Sequence, residues 1–253
     1  MPYSLTIAQL YPDHMNIYGD RGNIITLTQR CAWRSITTKV VAVQPGMALD
    51  WGEIDIAFFG GGQDSGQALI AEDFVVRQGP GLRTALAQDL TLLAICGGYQ
   101  MLGHYFLTHT GERLPGIGAL NVHTIGGDVR LIGNIVVEVS DQLAINSNSQ
   151  SKHLRLVGFE NHSGRTYLGA GVQALGRVIS GHGNNGEDGS EGAVFRNAIG
   201  CYMHGSLLPK NPQLADHLIG LALRRRYGPE AHISPIDDTL ELRAQRVMVG
   251  RFG

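Results

Sequence analysis

The sequence predicts an α/β fold in which a doubly wound, mostly parallel central sheet carries helices on both faces. Strand-like and helix-like segments alternate through the first half of the chain in a β-α-β-β-α-β-α order, which favours parallel strands joined by helical crossovers. The segment 54–62, IDIAFFGGG, is a nearly continuous apolar run, as is typical of a strand buried on both faces. With 253 residues, of which 43% are hydrophobic, the chain is long enough to bury a large core.

Hydrophobic periodicity places the individual elements along the chain. We expect strands over 4–11, 37–45, 54–62 and 90–95, and helices over 20–35, 66–88 (interrupted near 79–81) and 98–106. In the second half we expect hairpins or mixed-sheet edges over 118–127, 129–140 and 153–168, a glycine-rich loop over 181–192 and a strand over 193–208. No change in composition indicates a linker between two domains.

Two helices are expected near the C-terminus, over 211–228 and 237–253. In the first of these, Asn211 stands at the N-cap position and Pro212 at the first helical position. Three arginines occupy its last turn, and Gly228 ends it.

Composition and charge exclude several classes of protein. The net charge is −2 and 17% of residues are charged, so nothing predicts binding to nucleic acid or to an acidic membrane surface. No apolar run approaches the roughly 20 residues that a membrane span needs, and the N-terminus lacks the pattern of a signal peptide. Three cysteines argue against a disulfide framework and for a reducing environment, so we expect a cytoplasmic protein.

Cys96 is the strongest candidate for a catalytic residue. It ends the apolar run LTLLAI and is followed by two glycines and a helical segment, which is the pattern of a nucleophile elbow. A helix N-terminus also favours the thiolate form of a cysteine. The alternative is a buried structural cysteine, which is our interpretation of Cys31 and Cys201.

His204, in GCYMHGSLL, is the best candidate for a base that assists Cys96. It follows a predicted strand, and the carboxyl ends of parallel strands are where ligands gather in such sheets. His104 and His217 lie within predicted helices and are more simply surface or packing residues. There is no H-E-x-x-H or C-x-x-C spacing, so we expect no metal site.

Taken together, these residues resemble the class I (triad) glutamine amidotransferases. AICGGYQ resembles the nucleophile motif of that family, FFGGGQD its oxyanion glycine loop and YMHG its histidine motif. MNIYGDRGN, GFENHSGRT, GHGNNGEDGSEG and YMHGSLLPKNP resemble the CobQ/CobB-like branch, and within it the glutamine-hydrolysing subunits of lipid II isoglutaminyl synthase. The resemblance implies a flavodoxin-like fold and a single amidotransferase domain over residues 1–253.

The resemblance also implies catalytic roles. Cys96 would attack the side-chain amide of L-glutamine, and His204 would assist thiolate formation and protonate the departing ammonia. The backbone N–H of Gly97, with that of Gly61 or Gly62, would stabilise the oxyanion.

Two further residues are candidates for binding the substrate glutamine. Gln100 lies one helical turn after Cys96, where this family contacts the substrate. Arg130, in VRLIGN, could hold the α-carboxylate with two hydrogen bonds, or it could be an ordinary exposed arginine of a strand.

The sequence departs from the family pattern at one position. Triad amidotransferases usually carry a glutamate two residues after the histidine, whereas this chain has Ser206 there. Ser206 could orient His204 weakly, or Glu160 or Asp20 could approach it in the fold. The preferred hypothesis is that a partner chain supplies the acid, so that hydrolysis depends on the partner.

No ATP site is evident in this chain. There is no G-x-x-x-x-G-K-[ST] motif, and the lone G-x-G-x-x-G match at 181–186 is not followed by a helix. The resemblance therefore implies a heterodimer with a Mur-ligase-like partner that binds ATP and Mg²⁺. That partner would activate the α-carboxylate of D-glutamate in the lipid II stem peptide, and the ammonia made here would amidate it.

Three alternatives stay open from the sequence. The same chemistry could serve corrin amidation, although a cobyric acid synthase normally carries an N-terminal ATP-binding domain and here the amidotransferase region begins almost at residue 1. The chain could also be a non-catalytic subunit with the same fold, with which Ser206 is consistent. A stand-alone cysteine hydrolase of another amide is the third.

Overall fold

The computed structural model describes residues 2–143, 145 and 154–253. In chain order its strands are β1 Ser4–Leu10, β2 Thr37–Val43, β3 Ile56–Phe59, β4 Thr91–Ile95, β5 Tyr105–Leu107, β6 Arg113–Pro115, β7 Val122–Val139, β8 Arg155–Leu168, β9 Gly176–Ser180, β10 Ser190–Glu191, β11 Ala193–Phe195 and β12 Ala198–Cys201. The α-helices are α1 Arg21–Ala32, α2 Asp64–Glu72, α3 Gly79–Ala87, α4 Gly97–Leu102, α5 Leu207–Lys210, α6 Pro212–Tyr227 and α7 Thr239–Phe252.

The central sheet has six strands in the order β2-β1-β3-β4-β12-β11. Its first five strands are parallel, and β11 pairs antiparallel to β12 at one edge. This is the 2-1-3-4-5 order of flavodoxin-like sheets with one added strand, so the predicted fold class is confirmed. All residues of β3, β4 and β12 are buried, as their apolar sequences predict.

The segment between β3 and β4 is helical throughout, rather than interrupted at 79–81. The irregularity lies earlier, where Asp73–Gln78 form a π-helical stretch between α2 and α3. Pro80, which has no N–H to donate, lies in the first turn of α3, directly after that stretch, where a missing donor is tolerated.

Two other predictions of element type are wrong. The helix expected over 98–106 ends at Leu102, and Tyr105–Leu107 form β5 because they pair with β6 and β7. The segment 193–208 is not one strand. It forms the β11–β12 hairpin, which turns at Arg196 (φ +52°), and then continues into α5.

A second sheet has the order β10-β9-β7-β5-β6, with β8 also paired to β7. The segments 118–127 and 129–140, expected as separate elements, form the single strand β7, which pairs antiparallel with β8 in the segment 153–168. The first residue of that last segment lies outside the described residues. The register of the pair shifts between Gly126 and Leu131, which locally bends β7.

The second sheet is joined to the central sheet just after β12. The N–H of His204 donates to the carbonyl of Phe159 (2.7 Å), and the N–H of Phe159 donates to that of His204 (3.1 Å). Asn211, predicted to cap α6, makes no cap bond there. Its amide instead holds both backbone groups of Val157 at 2.9 and 2.8 Å, which ties α6 to β8.

The predicted C-terminal helices are confirmed as α6 and α7, and Gly228 (φ +97°) ends α6. Within the described part of the chain, every helix is too short or too polar to cross a bilayer.

Candidate active site

Cys96 forms a strained turn between β4 and α4. Its backbone has φ +49° and ψ −108°, a conformation that non-glycine residues rarely adopt, and its N–H donates to the carbonyl of Cys201 (2.8 Å). A Cβ on Gly98 would lie 2.5 Å from the carbonyl oxygen of Phe59, so the tight approach of α4 to β3 requires glycine there. This is the geometry of a nucleophile elbow.

The Cys96 side chain lies at a polar cavity of about 490 Å³. The walls of the cavity come from both sheets and from the loop before α1. They include Tyr18, Gly62, Gln67, Cys96, Gln100, Arg130, Asn161 and His162. Cys96 thus borders the cavity although it is only 6% exposed.

His204 lies beside Cys96 and is fully buried. Its Nδ1 is 3.2 Å from Oδ1 of Asp20, and its Nε2 has no hydrogen-bond partner among the described residues. Burial alone would lower the pKa of the imidazole. The Cys96 sulfur and the hydrogen bond and charge of Asp20 outweigh burial and raise that pKa to about 10, so the ring favours its protonated form.

The contact between Asp20 and His204 decides between the acids that the sequence offered. Asp20 is fully buried, and its other oxygen, Oδ2, accepts the N–H of Gly61 at 2.6 Å. Glu160 is directed elsewhere, because its two oxygens accept the N–H groups of His182 (2.7 Å) and Gly183 (2.9 Å). In this chain alone, a carboxylate thus occupies the Nδ1 side of His204. The partner-supplied acid stays a prediction.

Ser206 does not contact the imidazole. It adopts a left-handed conformation (φ +49°), and its hydroxyl donates to the carbonyl of Gly19 at 2.6 Å. A Cβ on Gly22 would overlap the Ser206 hydroxyl. Position 206 is therefore packed against the loop that carries Asp20.

The glycine loop after β3 offers one free oxyanion donor rather than two. The N–H of Gly61 is taken by Asp20, whereas that of Gly62 has no acceptor among the described residues. A Cβ on Gly97 would lie 3.0 Å from the nitrogen of Gly62, so these two glycines are close neighbours. Gly97 begins α4, where the N–H has no intrahelical acceptor. Gly62 and Gly97 remain the candidate pair.

Gln100 lies in the cavity wall, but both ends of its amide are already bonded. Its Nε2 donates to the Tyr202 hydroxyl (3.0 Å), and its Oε1 accepts from Nε2 of Gln67 (3.0 Å). Among the described residues, Oε1 of Gln67 has no hydrogen-bond partner. Nε2 of His162, another buried side chain of the cavity wall, has no hydrogen bond either but lies 3.9 Å from Oε2 of Glu160. Because buried polar atoms are nearly always bonded, the free Oε1 of Gln67 points to a polar ligand.

Arg130 reaches the same cavity from β7 and is held by Asn161 of β8. Its Nε donates to Oδ1 of Asn161 (2.9 Å), and its Nη2 donates to the Asn161 carbonyl (3.1 Å). The Asn161 amide in turn donates to the Tyr18 hydroxyl (2.9 Å), and the Tyr18 ring packs edge-on to His204 with centroids 5.1 Å apart. The structure therefore brings Arg130 into the region of Cys96 and His204.

Comparison with known proteins agrees with this geometry. Residues 6–212 match the profile of the CobB/CobQ-like glutamine amidotransferase domain. The chain belongs to that family. It is 39% identical to the glutamine-hydrolysing subunit GatD of lipid II isoglutaminyl synthase from Staphylococcus aureus, over 98% of this chain and 96% of that protein. It is 37% identical to the Streptococcus pneumoniae GatD subunit, over 94% of this chain and 88% of that protein.

More distant relatives of this amidotransferase share less of its length or only its fold. A cobyric acid synthase from Pelotomaculum thermopropionicum is 31% identical over 74% of this chain, which spans 37% of that protein. Among solved structures, PurLQS from Thermotoga maritima superimposes with a TM-score of 0.60 at 15% identity, covering 88% of this chain and 99% of the matched chain. At that identity the likeness shows the fold alone.

Sequence reasoning missed three residues of the amidotransferase site, namely Gln67, Asn161 and Tyr202. Asn161 lies inside the GFENHSGRT motif, which marked the segment but gave no role to the asparagine. Tyr202 stands two residues before His204, in the GCYMHGSLL segment that had been singled out. No pattern distinguishes Gln67, because its position on α2 reads as an ordinary helical residue.

Proposed function

We propose that this chain is the glutamine-hydrolysing subunit of a lipid II isoglutaminyl synthase. The observation that carries the proposal is the buried Cys96–His204 pair at a polar cavity in a chain 39% identical to such a subunit over 98% of its length. The corrin alternative has weaker support, since the cobyric acid synthase match is 31% identical over 74% of the chain.

In the proposed reaction, Cys96 forms a covalent intermediate with L-glutamine. The Cys96 sulfur, as thiolate, attacks the side-chain carbonyl carbon, a C–S bond forms, and the carbonyl electron pair moves to oxygen. The N–H groups of Gly62 and Gly97 are placed to stabilise that oxyanion. When the C–N bond breaks, protonated His204 gives its proton to the nitrogen and ammonia leaves.

The second half of the reaction regenerates the enzyme. A water molecule loses a proton to His204 and attacks the thioester carbon, and the C–S bond breaks. Glutamate leaves, and the Cys96 thiolate is restored beside protonated His204. In this scheme Arg130 pairs with the α-carboxylate of glutamine, and Gln100 positions Gln67 rather than contacting the reacting atoms.

The ammonia requires an acceptor that another protein activates. We propose a Mur-ligase-like partner in a heterodimer, which holds ATP and Mg²⁺ and activates the α-carboxylate of D-glutamate in the lipid II stem peptide. The absence of a G-x-x-x-x-G-K-[ST] motif in this sequence supports an ATP site on the partner. Because peptidoglycan precursors receive their stem peptides where ATP is available, we place the complex in the cytoplasm.

The decisive experiment compares Cys96→Ala with the matched variant Cys31→Ala, in which a cysteine of α1 is changed instead. We expect Cys96→Ala to abolish ammonia release from L-glutamine and Cys31→Ala to retain it, with circular dichroism confirming that both are folded. Glutamine labelled with ¹⁵N at the side-chain amide should pass its label to the stem peptide when the partner, ATP and lipid II are present. Undiminished ammonia release by Cys96→Ala would refute the mechanism, and label found on a corrin substrate instead would refute the acceptor.

A further inference from the structure

We infer that Asp64 and Gln67, which lie one turn apart on α2, bind the α-ammonium group of L-glutamine and make the site specific for the free amino acid. The inference rests on the proposed function, in which Arg130 pairs with the α-carboxylate of the same substrate. It gives the opposite charge of that substrate a partner on a second element of the cavity wall.

The charges of the cavity wall are the first argument. The wall contains the Arg130 guanidinium and, among the residues that the structure describes, a single carboxylate, that of Asp64. L-Glutamine carries one carboxylate and one ammonium group at neutral pH. Arg130 neutralises only the carboxylate. The ammonium group, once it is withdrawn from water, needs an acceptor of negative charge, and Asp64 is the carboxylate that the cavity offers.

The Asp64 carboxylate is also uncommitted. The residue is half-buried in the first turn of α2, and in the described part of the chain no hydrogen bond or ion pair occupies its oxygens. A negative charge in the first turn of a helix is favourable by itself, because it interacts with the helix dipole. That contribution is the alternative role for Asp64, and it is the same whichever substrate is bound.

Gln67 supplies a second acceptor from inside the wall. The side chain is 1% exposed and borders the cavity, and its Oε1 has no partner among the described residues. Its Nε2 lies 3.4 Å from the Gly62 carbonyl oxygen and 3.0 Å from Oε1 of Gln100. Because a carbonyl oxygen can only accept, the NH₂ end of the amide faces Gly62, and the oxygen is the end that is left for a donor of the ligand.

A buried chain of hydrogen bonds holds the Gln67 amide in this orientation. Oε1 of Gln100 accepts from Gln67, so Nε2 of Gln100 donates to the Tyr202 hydroxyl at 3.0 Å. That hydroxyl then donates to Thr166 (2.7 Å), and the Thr166 hydroxyl donates to Thr124 (2.7 Å). Every bond of the chain runs in the same direction, away from the cavity. Oε1 of Gln67 is therefore the acceptor at its cavity end.

The two acceptors lie on the same face of α2, because residues three apart on a helix are neighbours. An ammonium group has three N–H donors and can use both. A ligand without that group leaves the carboxylate and the buried oxygen unpaired, and a site built to bond a substrate N–H rejects such analogues strongly. We therefore expect the site to reject glutaramate, which is L-glutamine without its α-amino group.

The test combines one substitution with this analogue. Asp64→Asn keeps the size of the side chain and removes its charge. In ammonia-release assays with L-glutamine, we expect KM to rise roughly 10- to 100-fold in Asp64→Asn, with kcat little changed. With glutaramate, which has no ammonium group, kcat/KM should be the same in wild type and Asp64→Asn. Glu72→Gln, which removes an exposed charge at the other end of α2, is the matched control and should leave both substrates unaffected.

An equal loss with both substrates in Asp64→Asn would overturn the inference, because the helix dipole and the fold do not distinguish them. Unchanged kinetics with L-glutamine would overturn it too. If Asp64→Asn does not fold, calorimetry on Cys96→Ala decides the question through the other residue. Adding Gln67→Met should weaken L-glutamine binding and leave glutaramate binding unchanged, and equal weakening of both would refute the inference.

Failure of the proposed function is a separate result. It would be seen as undiminished ammonia release by Cys96→Ala, whatever the kinetics of Asp64→Asn. Failure of this inference alone leaves Cys96→Ala inactive, while Asp64→Asn treats L-glutamine and glutaramate alike.

Discussion

Glu191 is a carboxyl group enclosed by the protein with only one of its oxygens bonded. Its Oε1 accepts the N–H of Tyr202 at 2.6 Å, and its Oε2 has no partner among the described residues. Burial, reinforced by the charge of Glu160, outweighs the backbone hydrogen bonds and raises the pKa of Glu191 to about 8. The side chain therefore holds its proton at neutral pH, next to the strand that leads to His204.

This buried proton makes stability depend on pH. In the unfolded chain the Glu191 carboxyl has its ordinary pKa of 4.5, so above that pH only the folded state keeps the proton. Its favourable contribution is complete below pH 4.5 and is lost as the pH rises toward about 8. The free energy of unfolding of the wild type should therefore decrease from pH 5 to pH 8. We expect this decrease to be roughly 2–4 kcal/mol smaller in Glu191→Gln, whose side chain does not titrate.

Denaturant unfolding of wild type and Glu191→Gln at pH 5 and pH 8 measures this difference. Glu138→Gln, which changes a carboxylate paired with exposed Arg177, is the control and should retain the wild-type pH dependence. An equal fall in stability for wild type and Glu191→Gln would show that Glu191 is ionised in the folded state.

At the level of single residues, the sequence identified the chemistry but not all of its geometry. Cys96 was predicted because an elbow is encoded locally, by a strand, two glycines and a helix in direct succession. Asp20 was one of several open alternatives, beside Ser206, Glu160 and a partner chain, since its contact with His204 depends on how two distant segments meet. Nothing local indicates that Gly61, rather than Gly62, gives its N–H to Asp20.

Among the helices, α1, α6 and the turn before α7 are joined by buried ion pairs. Arg30 is 2% exposed and binds Asp216 (2.6 and 2.8 Å) and Asp238 (2.7 and 3.0 Å) through its guanidinium. Arg34 adds a second cation on Asp216 at 2.6 Å. Asp216 thus neutralises two arginines from α1 and fixes α6 against that helix.

We expect Asp216→Ala to lower the free energy of unfolding by about 3 kcal/mol, because it leaves a buried guanidinium short of its partner. Asp89→Ala is the matched control. Asp89 pairs with Arg196 in the same kind of contact, but both side chains are about half exposed (49% and 46%), so its removal should cost less than about 1 kcal/mol. Chemical denaturation of both variants tests this, and comparable losses would mean that burial does not strengthen the Arg30 cluster.

Secondary structure was predictable where an element's own residues determine it. The strands β1 to β4 and the helices α1, α6 and α7 have clear apolar periods and end signals, and they were located within a few residues. Tyr105 and Phe106 were assigned to a helix because their strand state depends on pairing with β6 and with distant β7. The turn at Arg196 has no glycine at its positive-φ position, so the β11–β12 hairpin lacked its usual signal.

Over the whole molecule, the candidate site lies where the two sheets meet. Cys96 belongs to the central sheet, whereas Arg130 and Asn161 come from the β7–β8 pair of the second sheet. A glutamine bound between Cys96 and Arg130 would therefore connect the sheets in addition to the Phe159–His204 bridge. Ligand binding should stabilise the entire fold rather than one loop.

We expect L-glutamine to raise the melting temperature of Cys96→Ala, in which it binds without reacting. At a glutamine concentration of 100 times the dissociation constant, the free energy of unfolding should rise by about 2.7 kcal/mol. Adding Arg130→Ala to that variant should remove most of the gain at the same glutamine concentration, whereas adding Arg177→Ala, which changes an exposed side chain of β9, should leave it intact. Thermal unfolding monitored with and without glutamine gives the answer, and an undiminished shift in the Arg130→Ala variant would exclude Arg130 from the substrate site.

The topology also sets when activity can first arise during synthesis. His204 is synthesised long after Cys96. The strand that leads to it, β12, must insert between β4 and β11, which both precede it in the chain. A nascent chain that has not yet released this strand has an elbow without a base. We therefore expect glutamine hydrolysis only after position 204 has been synthesised and β12 has paired with β4.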